Sequence, residues 1–150
     1  MPKPILGLAL IGLLWTASPP WAQTCISPEG RWPFGPTWSV AASGSHAYFG
    51  RGSEFNVADI TNPANPVVVG TLLLPDQINQ TIVLSGNLAY VTDSGAGVRI
   101  LDVSDPSHPF EVGAFTASRG ASGVALAGGL AYVADFPDGL IIVDVSNPTT

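Results

Sequence analysis

From residue 37 onward the apolar residues fall in short runs, and segments rich in Gly, Pro, Ser and Asn interrupt each run. Short runs filled with Val, Ile, Thr and aromatic residues, bounded by turn residues, predict β-strands rather than helices. Residues 81–117 show the pattern most clearly. TIVLSG (81–86) predicts a strand entering a Ser-Gly-Asn turn, NLAYVTD (87–93) a second strand, SGAG (94–97) a turn, and VRILDVS (98–104) a third strand. DPSHP (105–109) then reads as a loop and FEVGAFTA (110–117) as a fourth strand. An earlier stretch has the same layout in TWSVAASG, SHAYFGRG, EFNVADIT, NPANP and VVVGTLLL. A later one begins it again with SGVALAGG, LAYVADFPDG and LIIVDVSNP.

The layout is periodic. An Ala-Tyr pair recurs at Tyr48, Tyr90 and Tyr132, 42 residues apart each time. A turn motif that opens on Asp59, Asp102 and Asp144 and closes on Pro63, Pro106 and Pro148 recurs with aspartate spacings of 43 and 42. Two markers with one period predict a repeat architecture. Four short antiparallel strands in a unit of about 40–50 residues is the pattern of a propeller blade. The strands are more continuously apolar than a one-sided sheet requires, which fits blades covered on both faces. A β-sandwich also suits many short strands, but it does not need a fixed period and ranks second. The expected fold is therefore all-β: β-propeller blades of four antiparallel strands, in about three repeats that make an incomplete ring. The expected segments are a signal peptide over 1–23, a lead-in over 24–36, and repeats over 37–79, 80–121 and 122–150, the last cut off before its fourth strand. Propeller rings hold about four blades or more. The chain is accordingly expected to be a fragment of a longer protein, with ring completion by a second chain as the alternative. An open edge strand invites aggregation and favours the fragment.

At GVRILDVSDP, GLIIVDVSNP and, more loosely, EFNVADITNP, the sequence resembles the LVIVD repeat, whose units read roughly SGNYAYVADGxxGLRVIDVSNPxxPVxVGxxxxxG. SGNLAYVTDSGAGVRILDVSDPSHPFEVGAF is similar to that unit over nearly its whole length. The resemblance covers about residues 31–150 and takes in the lead-in Gly30-Arg31-Trp32-Pro33-Phe34-Gly35-Pro36. It implies β-propeller blades in secreted or surface proteins of bacteria and archaea, mostly without an assigned activity. The first repeat departs from the pattern. Arg51 stands where Asp93 and Asp135 stand in the others, and Asn56-Val57-Ala58 is expected to weaken its third strand, placing this repeat at an edge or cap.

Composition narrows the partners. The net charge is −6, charged residues make up only 11%, and no Lys/Arg cluster occurs. A nucleic-acid surface needs a basic stripe to displace counterions, so no nucleic-acid partner is expected. A basic membrane-surface helix is likewise missing from the sequence. The first residues tell more. Lys3 gives a short positive start, Ile5–Trp15 is an unbroken apolar run of 11 residues, and TASPPWAQ follows. That run is too short for the ~20 residues a membrane span needs, and the layout is that of a secretory signal peptide cleaved after Ala22 or Gln23. An uncleaved anchor is the alternative. The expected location is secreted, periplasmic or cell-surface, with no membrane span after signal removal. Cys25, the one cysteine, cannot form an internal disulfide. The triplet Ala22-Gln23-Thr24 before it matches a lipidation signal poorly, which leaves a free or intermolecularly paired thiol.

Candidate chemistry is sparse. Asp59, Asp102 and Asp144 each end an apolar strand and precede Ser or Thr and then Asn/Asp-Pro. An Asx-type turn, with the carboxylate accepting from backbone N–H groups ahead of it, accounts for an acid at that place. A calcium role is the lesser reading, since one carboxylate per repeat lacks the clustered oxygens calcium takes. Tyr48, Tyr90, Tyr132, Pro63, Pro106 and Pro148 are assigned with these aspartates as structural repeat positions. Asp93, Asp135 and Asp138 read as turn residues; gathered on one rim they would attract a cation or a basic partner. His46 and His108 read as isolated surface residues. Ser85-Gly86, Ser94-Gly95 and Ser122-Gly123 read as turn dipeptides. Trp32, Phe34 and Trp38 are expected to cover the open end of the first repeat, although such rings also stack on sugars. No G-x-S-x-G, H-E-x-x-H or P-loop motif occurs, so no catalytic residue, metal ligand or cofactor is assigned. The expected role is a protein or ligand interaction scaffold that takes a protein or carbohydrate, with self-association or further repeats in a longer parent. An extracellular propeller enzyme acting on carbohydrate, as hydrolase or lyase, and a structural surface-layer module are the alternatives. Converging polar residues from several repeats would mark the enzyme.

Overall fold

Each predicted run of alternating residues forms a strand because it can present one apolar face to each side while turn residues reverse the chain at both ends. The computed structural model describes residues 28–31, 35–78, 80–95, 97–116, 120–136 and 138–148. These residues form β1 (Val40–Ser43), β2 (His46–Arg51), β3 (Glu54–Asp59), β4 (Val67–Leu73), β5 (Ile82–Ser85), β6 (Leu88–Asp93), β7 (Gly97–Asp102), β8 (Phe110–Phe115), β9 (Ala121–Ala127), β10 (Leu130–Asp135) and β11 (Gly139–Asp144). No helix occurs among the described residues. The strands make three antiparallel sheets in simple up-and-down order, β1-β2-β3-β4, β5-β6-β7-β8 and β9-β10-β11. These are propeller blades. β1 lies beside β5, and β5 beside β9, so the first strands form the inner side of an arc. β4 and β8 lie at the opposite edges of their sheets. The ring is not closed.

Two apolar layers hold the arc together. Between the first two sheets, Tyr48, Phe55 and Val57 meet Ile82, Ala89, Val91, Leu101 and Val103, with Leu74 and Ile78 from the connection. Between the second and third, Tyr90, Val98 and Ile100 meet Ala121, Val124, Ala131 and Val133. Odd and even positions of β6 and β7 thus serve different layers, and the middle sheet is apolar on both faces. Burying each Val, Leu, Ile or Phe side chain among them is worth about 1.5–3 kcal/mol. Backbone contact fixes the spacing outside the core. A Cβ on Gly70 of β4 would collide with the carbonyl oxygen of Pro106, and one on Gly113 of β8 with that of Pro148. The fourth strand of one sheet therefore rests on the corner loop of the next.

The turns explain why the two sequence markers differ by one residue. In the second and third sheets Asp93 pairs with Gly97 and Asp135 with Gly139, so three residues connect the strands. Gly97 and Gly139, the first residues of β7 and β11, have φ of 100° and 87°, a backbone region open to glycine. In the first sheet Arg51 pairs with Glu54 across two residues, and the connection is one residue shorter.

Several expectations need correction. Gly97 belongs to β7 and not to the turn. Ser122-Gly123 lies inside β9, where Ser122 Oγ donates to Ala134 O at 3.1 Å. Asn56-Val57-Ala58 does not interrupt β3, a six-residue strand with Phe55, Asn56, Val57 and Ala58 all buried, and the register shift against β4 between Val57 and Ala58 has its equivalent between Ile100 and Leu101 of β7. The Asn56 amide is satisfied: Thr71 Oγ1 donates to Asn56 Oδ1 at 3.1 Å and Asn56 Nδ2 donates to Glu54 O at 3.2 Å.

Gly70→Ala is expected to lower stability by about 1–3 kcal/mol through overpacking against the Pro106 carbonyl. Urea unfolding measures it; an unchanged midpoint would contradict the close approach.

Candidate functional site

The loop-bearing rims carry the chain's polar groups. On one rim, Asp59, Asp102 and Asp144 terminate the third strand of each sheet. Asp59 Oδ1 accepts from Thr61 N at 2.8 Å and from Thr61 Oγ1 at 2.7 Å. Asp102 Oδ1 accepts from Ser104 N at 2.8 Å. Asp144 Oδ1 accepts from Ser146 N at 2.9 Å and from Ser146 Oγ at 2.6 Å. The next residue is fixed too: Ile60, Val103 and Val145 N donate to the carbonyls of Ser45, Asn87 and Gly129 in the neighbouring hairpin, at 2.8, 2.8 and 2.9 Å. Hydrogen bonding lowers all three carboxyls below their ordinary range. The backbone N–H of Thr61 is the larger cause at Asp59, and the hydroxyls of Ser104 and Ser146 are the larger causes at Asp102 and Asp144.

A second turn follows at once. Asn62 Oδ1 accepts from Ala64 N at 3.2 Å, and Asp105 Oδ1 from Ser107 N at 2.9 Å. Asn65 N and His108 N then close the loop onto Asn62 O and Asp105 O, both at 3.0 Å. Pro63, Pro106 and Pro148 sit in these loops, and their carbonyls face glycines. His108 is not isolated: its Nδ1 lies 3.1 Å from Asp105 Oδ2 and 2.8 Å from Ser107 Oγ. His46 Nδ1 lies 3.3 Å from Ser45 Oγ, and His46 stands opposite Asp59 in the ladder. Tyr48 and Tyr90 are buried against the next sheet, and burial raises their phenols. Tyr132, at the same place in the third sheet, is half-buried.

The opposite rim holds the acids expected in turns, and two of them are not turn residues. Asp93 and Asp135 end β6 and β10, and both are buried. Asp93, 0% exposed, is held by Arg99: Nε donates to Asp93 Oδ2 at 3.2 Å while Nη1 donates to Glu111 Oε1 at 3.1 Å. A buried charge needs such a partner. The first sheet inverts the arrangement, with Arg51 at the acid's position paired to Glu54 across the hairpin. Arg51 and Arg99 thus pair with Glu54 and with Asp93 and Glu111, while Asp135 and Asp138 stand at the same end of the third sheet. No cluster of three or more His, Cys, Asp or Glu able to hold a metal occurs among the described residues.

Two further features complete the surface. Trp38 is 69% exposed, where a covering role was expected; Trp32 and Phe34, like Cys25, lie outside the described residues. Thr37, Val40, Ala47, Phe49, Ala58 and Pro66 line an apolar depression of about 300 Å³ on the outer face of the first sheet. Sequence reasoning missed this depression, Arg99 and Glu111, because strand partners are set by register. It also missed Gly70 and Gly113, although both occupy the same V-G place in their repeats.

Comparison with known proteins fits this geometry. A family model described as the LVIVD repeat matches residues 34–73, 78–117 and 118–150. The crystal structure of the computationally designed Ika4 protein is similar in fold, with a TM-score of 0.62 at 13% identity over 79% of this chain and 71% of that one. That of the computationally designed Ika8 protein gives 0.61 at 10% identity over 73% of this chain, which spans 33% of that protein's length. Among curated proteins none matches the chain.

Two predictions follow from the rims. Arg99→Met leaves the Asp93 carboxylate buried without its cation and is expected to cost about 3–5 kcal/mol, most of it recovered in Asp93→Asn/Arg99→Met. Denaturant unfolding of both variants measures this, and an unaffected single variant would contradict the buried pair. The depressed carboxyls of Asp59, Asp102 and Asp144 stabilise the fold while ionised. That contribution is complete above the unfolded aspartate pKa of ~3.9 and is lost as pH falls through the lower folded values. Thermal midpoints are expected to fall on acidification below about pH 4, less steeply in Asp102→Asn. Equal slopes would show that the turn does not favour the ionised form.

Proposed function

The chain belongs to the LVIVD repeat family, and from that premise we propose that it is a secreted or cell-surface β-propeller repeat protein acting as an interaction scaffold for a protein or carbohydrate ligand. The corner loops carry this reading. Their backbones are locked twice over by side-chain acceptors, yet their exposed side chains differ: Ala64 and Asn65 in one, Ser107 and His108 in the next. A rigid frame that displays different side chains at equivalent places suits recognition. The polar residues that recur in every repeat are meanwhile engaged in holding the loops, and none forms a nucleophile–base pair. The short positive start, the apolar run Ile5–Trp15 and the small residues after it support export.

Fusing residues 1–23 to a phosphatase that is active only outside the cytoplasm tests export; an active reporter is expected, and an inactive one would refute it. For recognition, arrays of bacterial polysaccharides and extracellular proteins are probed with the intact chain and with Asn65→Ala/His108→Ala. Saturable binding, weakened about tenfold or more in the variant at an unchanged melting temperature, is the expected result. Binding that is absent, or indifferent to the loops, would overturn the scaffold reading.

A further inference from the structure

The first hairpins of the three sheets, on the rim of the corner loops, are not equivalent. Ser43, Ser85 and Ala127 hold the same place before the turn, and His46, Leu88 and Leu130 the same place after it. Between them stand Gly44-Ser45, Gly86-Asn87 and Gly128-Gly129. In the first two turns only the leading glycine has a positive φ, 57° and 58°. In the third both glycines do, 59° and 78°. The third hairpin thus reverses the chain by a different turn. It also carries no side chain larger than a methyl group from Ala127 to Gly129, where the second sheet carries Ser85 and Asn87.

A depression of about 200 Å³ lies at this bare turn, between the second and third sheets. Ser85 and Tyr90 line it from the second sheet, and Leu126, Leu130 and Val145 line it from the third together with the turn itself. Tyr90 is only 3% exposed, and its hydroxyl has no hydrogen-bond partner among the described residues. A hydroxyl held in that state gains a bond from a ligand without giving one up within the protein. The lining also selects the ligand. It includes no charged side chain, so it matches a neutral molecule. Its volume is below the roughly 300–1,000 Å³ of sites for drug-sized molecules, which limits it to a single ring. Three aliphatic side chains beside two hydroxyls and an uncovered backbone call for a ring that is apolar on its face and carries hydroxyls at its edge. An aromatic side chain of a protein partner would cover the aliphatic part but leave the Tyr90 hydroxyl unpaired.

We propose that this depression binds one pyranose ring of a neutral saccharide, with the hydroxyls of Ser85 and Tyr90 bonded to the hydroxyls of the sugar. The inference rests on the scaffold reading above and narrows its ligand to a carbohydrate, seated on the same rim as the corner loops. Leu126, Leu130 and Val145 take the C–H face of the ring, and the bare Gly128-Gly129 turn leaves room for its edge.

Saturation-transfer NMR of the intact chain with the methyl pyranosides of glucose, galactose, mannose and N-acetylglucosamine tests this, and at least one is expected to bind saturably. Tyr90→Phe removes the hydroxyl and keeps the packed ring, so it is expected to weaken binding roughly tenfold at an unchanged melting temperature. Gly129→Asn restores the side chain that Asn87 carries in the second sheet. A Cβ there meets Ser146 Cβ at 3.7 Å, an ordinary contact, and Asn adopts positive φ more readily than most residues. This variant is expected to fold by circular dichroism and to lose binding; if it does not fold, Tyr90→Phe decides alone. Tyr48→Phe, the same change between the first and second sheets, is expected to bind as the parent does. A sugar that binds Tyr90→Phe and Gly129→Asn as well as the parent would overturn the site and leave the scaffold reading standing. So would binding of proteins without binding of any of these sugars. Binding of neither kind would overturn both.

Discussion

Everything in this fold depends on one constraint: a sheet that is apolar on both faces must be covered on both sides. The middle sheet meets it. Tyr90, Val98 and Ile100 turn to one neighbour while Ala89, Val91 and Leu101 turn to the other. The alternation of β6 and β7 is thus an alternation between two interfaces rather than between core and solvent. Stacking identical units satisfies the constraint within the chain and carries it forward to the two ends. There Val40 and Ile142 are 67% and 56% exposed. Stability in repeat architectures is approximately a sum of unit and interface terms, so what covers the ends decides the behaviour of the whole.

Polar residues are placed so as not to interfere with that stacking. Asp59, Asp102 and Asp144 stand on the same faces as the apolar positions of their strands, where an unsatisfied carboxylate would be costly. Each turns instead to the N–H two residues ahead and stops the strand. On the other rim Asp93 is fully buried, but Arg99 and Glu111 from two further strands of the same sheet form one ionic row with it. The first sheet reaches the same end with the charges exchanged between Arg51 and Glu54. By strand alternation Asp93 and Arg99 share the face of Ala89, Val91 and Leu101, so charge enters that stacking layer only as a pair.

Much of this could be read from the sequence. The spacings of Tyr48, Tyr90 and Tyr132 and of the aspartate motif announced the repeat, and the motif's own chemistry announced the Asx turn. Those signals are local: donor and acceptor lie two residues apart. What sequence reading missed is non-local. Asp93 looked like a turn residue because its partner, Arg99, is brought to it by hairpin register. Asn56 looked disruptive in β3 because Thr71, which satisfies it, comes from the next strand. Gly70 and Gly113 looked like ordinary strand glycines because the carbonyls they accommodate belong to another sheet. Trp38 shows the limit from the other side: a large ring near an open end need not cover it.

The account stands or falls on the sheets packing face to face in two separate layers, and double-mutant cycles measure this directly. Val57→Ala with Leu101→Ala lies within the first layer, Ile100→Val with Val133→Ala within the second, and Val57→Ala with Val133→Ala across the two. Stacked blades predict coupling energies of about 0.5–3 kcal/mol for each within-layer pair and additivity within about 0.5 kcal/mol for the pair across layers. Additive within-layer pairs, or a coupled pair across layers, would contradict it.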